Sequence, residues 1–160
     1  MNMDTPLVKI SNTQEYIGVL TDIIACGNAV SVLACGVSMY PFLRNRRDTI
    51  HIGKADLSKL KRGDIVLFRR KNGQYVIHRI YSKDKKENQF YLIGDFQSVK
   101  EGPVEAEQIK GIVVSAKRNE KLIQPGNIVW EFYEHIWLAL VPVRRFIISA
   151  AVKMFGLSVE

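Results

Sequence analysis

The chain has 160 residues, 47% of them hydrophobic and 24% charged, which suits one globular domain with its own core and excludes a disordered chain. Its net charge of +7 favours an anionic neighbour such as nucleic acid or acidic lipid, or else a solvated basic face. Cys26 and Cys35 form no CxxC pair, and His51, His78 and His135 are scattered, so free, mostly buried thiols are expected, with no structural metal and no cofactor.

Taken in order, the polar N-terminus through Gln14 lacks the basic-then-apolar layout of a signal peptide. No stretch reaches the roughly 18 to 20 unbroken apolar residues of a spanning helix. The expected location is the cytoplasm or a membrane periphery. Ser11 to Glu15 offers a helix N-cap, and Ile17, Leu20, Ile23 and Ile24 follow at helical spacing as far as Gly27-Asn28. Val30 to Cys35 reads as a buried strand. It runs into Gly36-Val37-Ser38-Met39-Tyr40-Pro41-Phe42-Leu43. Gly36 admits backbone conformations closed to other residues, and Pro41 cannot continue a central strand. Ser38 therefore falls where a strand ends and the chain turns, a place where a hydroxyl can be exposed and held as a nucleophile requires. Taken alone, a serine at such a turn is usually just a turn residue.

Further along, Thr49 to Ile52 alternates as a short strand, and Lys61-Arg62-Gly63-Asp64 is a turn. Ile65 to Arg70 and Tyr75 to Tyr81 flank Asn72-Gly73, a strong hairpin signal, so His78 sits on the second arm of a hairpin. Gln89 to Ile93 is a strand broken by Gly94-Asp95, a polar loop runs through Glu101-Gly102-Pro103, and Ile109 to Ala116 is another strand. The middle section reads as a mostly antiparallel β domain. After Pro125-Gly126 the pattern turns helical: Trp130, Tyr133, Trp137 and Leu140, a break at Pro142, then Phe146, Ile147, Ala150, Ala151, Met154 and Phe155 opposite a narrow stripe of Arg145, Ser149 and Lys153. These amphipathic helices cap the β domain or a second subunit, or lie in a membrane interface with Arg144, Arg145 and Lys153 toward acidic lipid. Three segments result: residues 1–28, helical; 29–124, the β domain; and 125–160, amphipathic helices.

Ser38, His78 and an acid are the parts of a hydrolytic triad. A serine hydroxyl needs a base within hydrogen-bond reach, histidine titrates in the right range, and a carboxylate fixes the imidazole tautomer. Spacing alone does not assemble them, and His78 could equally be a core histidine, or Asp95 an ordinary turn residue.

Here the chain resembles a family. Gly36 to Leu43 is similar to the G-x-S-M-x-P-x-L box of the superfamily joining type I signal peptidases with LexA- and UmuD-like self-cleaving proteins. Arg62-Gly63-Asp64-Ile65-Val66, Tyr75 to Ile80, Gly94-Asp95 and Ile109 to Val113 resemble its later boxes, in order, over roughly residues 28–116. The resemblance implies a complex antiparallel β domain, mainly β with helices added, and a serine endopeptidase that cleaves a leader or signal-like peptide after small residues. Ser38 matches the nucleophile. His78 matches the general base, a lysine in most members and a histidine in the endoplasmic-reticulum and SipW-like branch. Asp95 matches the aspartate of the G-D-N motif. The acid usually assigned in that branch falls at Lys100-Glu101, so the acid is open between Asp95 and Glu101. Gly36, Met39 and Pro41 are expected at the substrate cleft, with the Ser38 backbone N–H as oxyanion donor. A histidine base predicts an activity limb near histidine's ordinary pKa.

The spanning anchor of signal peptidases and the DNA-binding domain of LexA-like repressors both lack a counterpart, so the expected partner is a peptide or protein and no specific nucleic acid, with homo-oligomers left open. Self-cleavage at Cys26-Gly27 or Cys35-Gly36 is disfavoured because both are expected inside regular structure. The rival reading is a binding module of the same fold that does no chemistry.

Overall fold

The computed structural model describes residues 13–155; the expected N-cap at Ser11 and Asn12 and the side chains of Thr13, Gln14, Ala151 and Phe155 lie outside the described set. Helix α1 (Thr13–Ala25) buries Ile24 fully. It stops where Gly27 takes φ +94°, donating to the Ile24 carbonyl at 2.9 Å while Asn28 donates to Ile23 at 3.3 Å. This pair of bonds satisfies the last carbonyls of the helix and requires a left-handed residue.

Eight strands form one antiparallel sheet: β1 (Val30–Leu33), β2 (Thr49–Gly53), β3 (Ile65–Arg69), β4 (Tyr75–Asp84), β5 (Gln89–Ile93), β6 (Glu101–Glu105), β7 (Ile109–Arg118) and β8 (Lys121–Ile123). Their order is β1-β2-β7-β3-β4-β5-β6, with β8 on β7. The fold is mainly β with a few short helices, as the alternating patterns predict. The polar loop expected at Glu101-Gly102-Pro103 is instead strand β6. Proline removes a ladder donor, which an edge strand tolerates, and β6 is at the edge.

The Asn72-Gly73 turn joins β3 to β4. Gly73 has φ +89°, and Arg70 donates to the Gln74 carbonyl at 2.8 Å. The register sets Val66 opposite His78 and Ile65 opposite Arg79. Successive strand residues point to opposite faces, so His78 and Arg79 look away from each other. Apolar residues fill both sides. One cluster joins Ile24, Val30, Met39, Phe42, Ile50 and Trp130; the other joins Val66, Phe68, Ile80, Phe90 and Leu92. Because Ile24 and Trp130 share a cluster with the serine turn, the expected boundaries near residues 28 and 125 mark changes of pattern within one packed core.

Asn127 caps α2 (Ile128–Glu131), its Oδ1 accepting from the Val129 N–H at 3.0 Å. The helix continues as a π-helical stretch, Phe132–Trp137, with Trp130 edge-on to Phe42 at 5.4 Å. After a bend of 112°, α3 (Val141–Phe155) begins. Pro142 sits in its first turn, where a missing N–H costs nothing. Among the described residues no single helix is long and apolar enough to cross a membrane.

Three expectations need correction. Arg144 is fully buried and does not face outward with Arg145 and Lys153. Cys26 and Cys35 are exposed thiols rather than buried ones, because α1 and β1 end just before them. For the same reason Cys26-Gly27 and Cys35-Gly36 lie in exposed turns, outside regular structure.

Candidate active site

The serine turn is held from several sides. Gly36, at φ +94°, redirects the chain after β1, and its N–H donates to Asn45 Oδ1 at 3.0 Å. Tyr40 donates to the Val37 carbonyl at 3.0 Å and Leu43 to that of Met39 at 2.8 Å. Met39, Phe42 and Leu43 are buried and pin the turn to the core, leaving Ser38 half-exposed. The backbone N–H of Ser38 donates to no described backbone carbonyl. The Ser38 carbonyl accepts from the Phe96 N–H at 2.8 Å. A β-carbon on Gly94 would stand 2.5 Å from that same carbonyl. Glycine is required there by close approach, so the G-D segment is docked directly on the backbone of the serine.

His78 is 1% exposed and lies 5.8 Å from the Phe68 ring. Its Nδ1 faces Glu101 Oε2 at 3.5 Å, too far for a formed hydrogen bond. Its Nε2 is buried without a hydrogen-bond partner, so no bond joins it to Ser38. Burial pushes the imidazole down from 6.5 to about 4, with Glu101 pulling upward and Arg70 pushing further down. The ring is therefore neutral near pH 7, the state a base needs. Glu101 is fixed by Arg70, whose Nε and terminal NH2 donate to its two oxygens at 2.5 and 2.6 Å. Arg70 is fixed in turn by Gln74 Oε1 at 2.5 Å.

Asp95 is differently engaged. Its two oxygens accept from Arg79 at 3.0 and 2.9 Å, and both side chains are fully buried. Arg79 also donates to the Gly63 carbonyl at 2.9 Å and lies over the Phe42 ring at 5.0 Å. The expectation that Asp95 could orient the imidazole is corrected: its carboxylate pairs with Arg79, on the face opposite His78, and Glu101 is the acid that meets the histidine.

Ser38 and His78 line one cleft of about 600 Å³, together with Gly36, Met39, Arg70 and Gln97. Pro41, expected at the cleft, is not in its lining. The walls are largely apolar, with Val30 and Val32 of β1, Ile50 and Ile52 of β2, and Leu20 of α1. A second serine–histidine pair exists: His51 Nδ1 lies 2.8 Å from Ser115 Oγ. These residues face each other across β2 and β7, outside the cleft, and no carboxylate among the described residues pairs with His51. Sequence reasoning missed Arg70, Gln97 and Arg144; no local pattern marks them, because their partners are remote in the chain.

Comparison with protein-family models, curated proteins and solved structures returned no match. No group of described residues has the makings of a metal site.

Proposed function

We propose that the protein is a serine endopeptidase of the signal peptidase-like superfamily, acting on an extended leader or signal-like segment. The supporting observation is the division of the carboxylates: Glu101 faces His78, which lines one cleft with Ser38, while Asp95 is taken up by Arg79. In this reading Ser38 Oγ attacks the scissile carbonyl and passes its proton to His78 Nε2. Glu101 orients the ring through Nδ1. The oxyanion accepts from the Ser38 N–H. His78 then protonates the departing amine, and water clears the acyl-enzyme by the reverse relay. In this reading the Ser38–His78 hydrogen bond forms when substrate fills the cleft, as catalytic hydrogen bonds commonly tighten on binding.

The edge strand β1 borders the cleft, so a substrate can add alongside it as a further strand, with apolar side chains entering between Val30, Val32 and Ile50. The exposed apolar row on the C-terminal helices, Ile128, Phe132, Ile136, Phe146 and Ile147, with Arg145 beside it, suits peripheral contact with an acidic lipid surface. The rival is a peptide-binding module, favoured by the apolar cleft walls and the unmade Nε2 bond. A quenched fluorescent peptide with a small residue before the scissile bond separates the two. Turnover by wild type and none by Ser38→Ala supports the peptidase. Equal binding by both with no turnover supports the module.

A further inference from the structure

The loop at residues 94–97 touches Ser38 and the strand that carries His78. Its Phe96 N–H holds the Ser38 carbonyl, Gly94 packs against that carbonyl, and the Asp95 carboxylate anchors Arg79, the neighbour of His78 on β4. The Phe96 ring also meets Tyr40 of the serine turn edge-on at 5.7 Å. The loop is thus a cross-brace between nucleophile and base.

The brace is held from behind by the C-terminal helices. Trp137 Nε1 donates to the Asp95 carbonyl at 2.9 Å. One terminal nitrogen of Arg144 donates to the Gly94 carbonyl at 3.0 Å and to the Gln97 carbonyl. Three of the loop's four carbonyls are therefore gripped by two side chains flanking the bend between the π-helical stretch and α3. Arg144 is fully buried, with Nε and its other terminal nitrogen unpartnered, and lies 5.6 Å from the Trp137 ring. A buried cation that leaves donors unused is a costly way to seal a core. A plain apolar residue would fill that space without this cost, so its value lies in the carbonyls it grips.

We propose that Arg144 and Trp137 are positioning residues that set the Ser38–His78 geometry through the Gly94–Gln97 loop. The inference rests on the hydrolase reading of Ser38 and His78.

The test uses the full chain and two readouts: the rate of Ser38 labelling by a fluorophosphonate, and hydrogen exchange at the Phe96 amide. Arg144→Gln is expected to slow labelling roughly 10- to 100-fold, the scale of a misplaced reacting group. Arg144→Lys, with a single donor group, recovers part of the rate, and Trp137→Phe loses less. In the Gln and Phe variants the Phe96 amide exchanges faster. Folded variants that label at the wild-type rate overturn the proposal, and so does slowed labelling with unchanged Phe96 protection. If Arg144→Gln does not fold, Trp137→Phe decides alone, since it removes one donor and keeps an aromatic side chain in the same place. If wild type itself does not label, the hydrolase reading falls and takes the positioning claim with it, whereas unchanged labelling or unchanged Phe96 protection in folded variants, beside a wild type that labels, overturns the positioning claim alone.

Discussion

Glu101 Oε2 stands 3.5 Å from His78 Nδ1 while both Glu101 oxygens are held by Arg70. The carboxylate is thus pre-aimed by an arginine, and the histidine meets it in one orientation. Replacing Glu101 by Gln keeps the shape and removes the charge. The expected result is a fall in peptide turnover of about 10² or more with the fold intact, because the imidazolium formed in the reaction loses its partner. Asp95→Asn is expected to act on stability: it leaves the fully buried Arg79 without its counter-charge, at a cost of about 3 to 5 kcal/mol. Melting curves and turnover for the two variants, side by side, separate the roles.

The pH dependence follows from the burial of His78. Its folded pKa, about 4, lies below the ordinary 6.5. Between those values the unfolded chain binds the extra proton, so stability rises with pH across that window and is complete above it. As pH falls from 6.5 to 4 this contribution, about 3 kcal/mol, is lost. His78→Gln is expected to flatten that slope in denaturant titrations. Activity is expected to keep its acid limb near 4, where the base becomes protonated, and not near the ordinary histidine value that the sequence suggests.

Gly94→Ala tests the docking of the G-D loop on the serine. The new β-carbon would meet the Ser38 carbonyl at 2.5 Å, a backbone atom that cannot swing aside. The expected outcome is a loss of about 1 to 3 kcal/mol in unfolding free energy, with slower labelling of Ser38. Gly126→Ala is a control for glycine loss, since nothing lies near its β-carbon position, although its φ of +88° adds backbone strain of its own.

All of the sheet but β6 and the short β8 was legible, because the other strands carry period-two or continuous apolar patterns and the hairpin has an Asn-Gly turn. The serine turn was legible through Gly36 and Pro41. Strand β6 was not, since Glu101-Gly102-Pro103 opposes every strand propensity and forms only because an edge accepts a proline. The acid could not be assigned for a related reason. Choosing between Asp95 and Glu101 requires knowing which face of β4 each one approaches, and that depends on the pairing of β5 with β6. The burial of Arg144 was equally hidden: on a helix wheel it looks like one more basic residue, and only the position of the 94–97 loop shows what it grips.

Lipid contact makes a separate prediction. Sedimentation with vesicles containing acidic lipid is expected to carry the protein down, less so with neutral vesicles or in high salt. Exchanging Ile128, Phe132 and Ile136 for serine should release it without changing turnover of a soluble peptide, since all three side chains are exposed and none lines the cleft.

The most direct measurement of the central claim is mass-spectrometric mapping of a fluorophosphonate adduct on wild type, His78→Ala and His51→Ala. An adduct on Ser38 is expected in wild type and His51→Ala, and its loss in His78→Ala. Labelling of Ser115 instead, or a Ser38 adduct that forms equally well without His78, contradicts the claim.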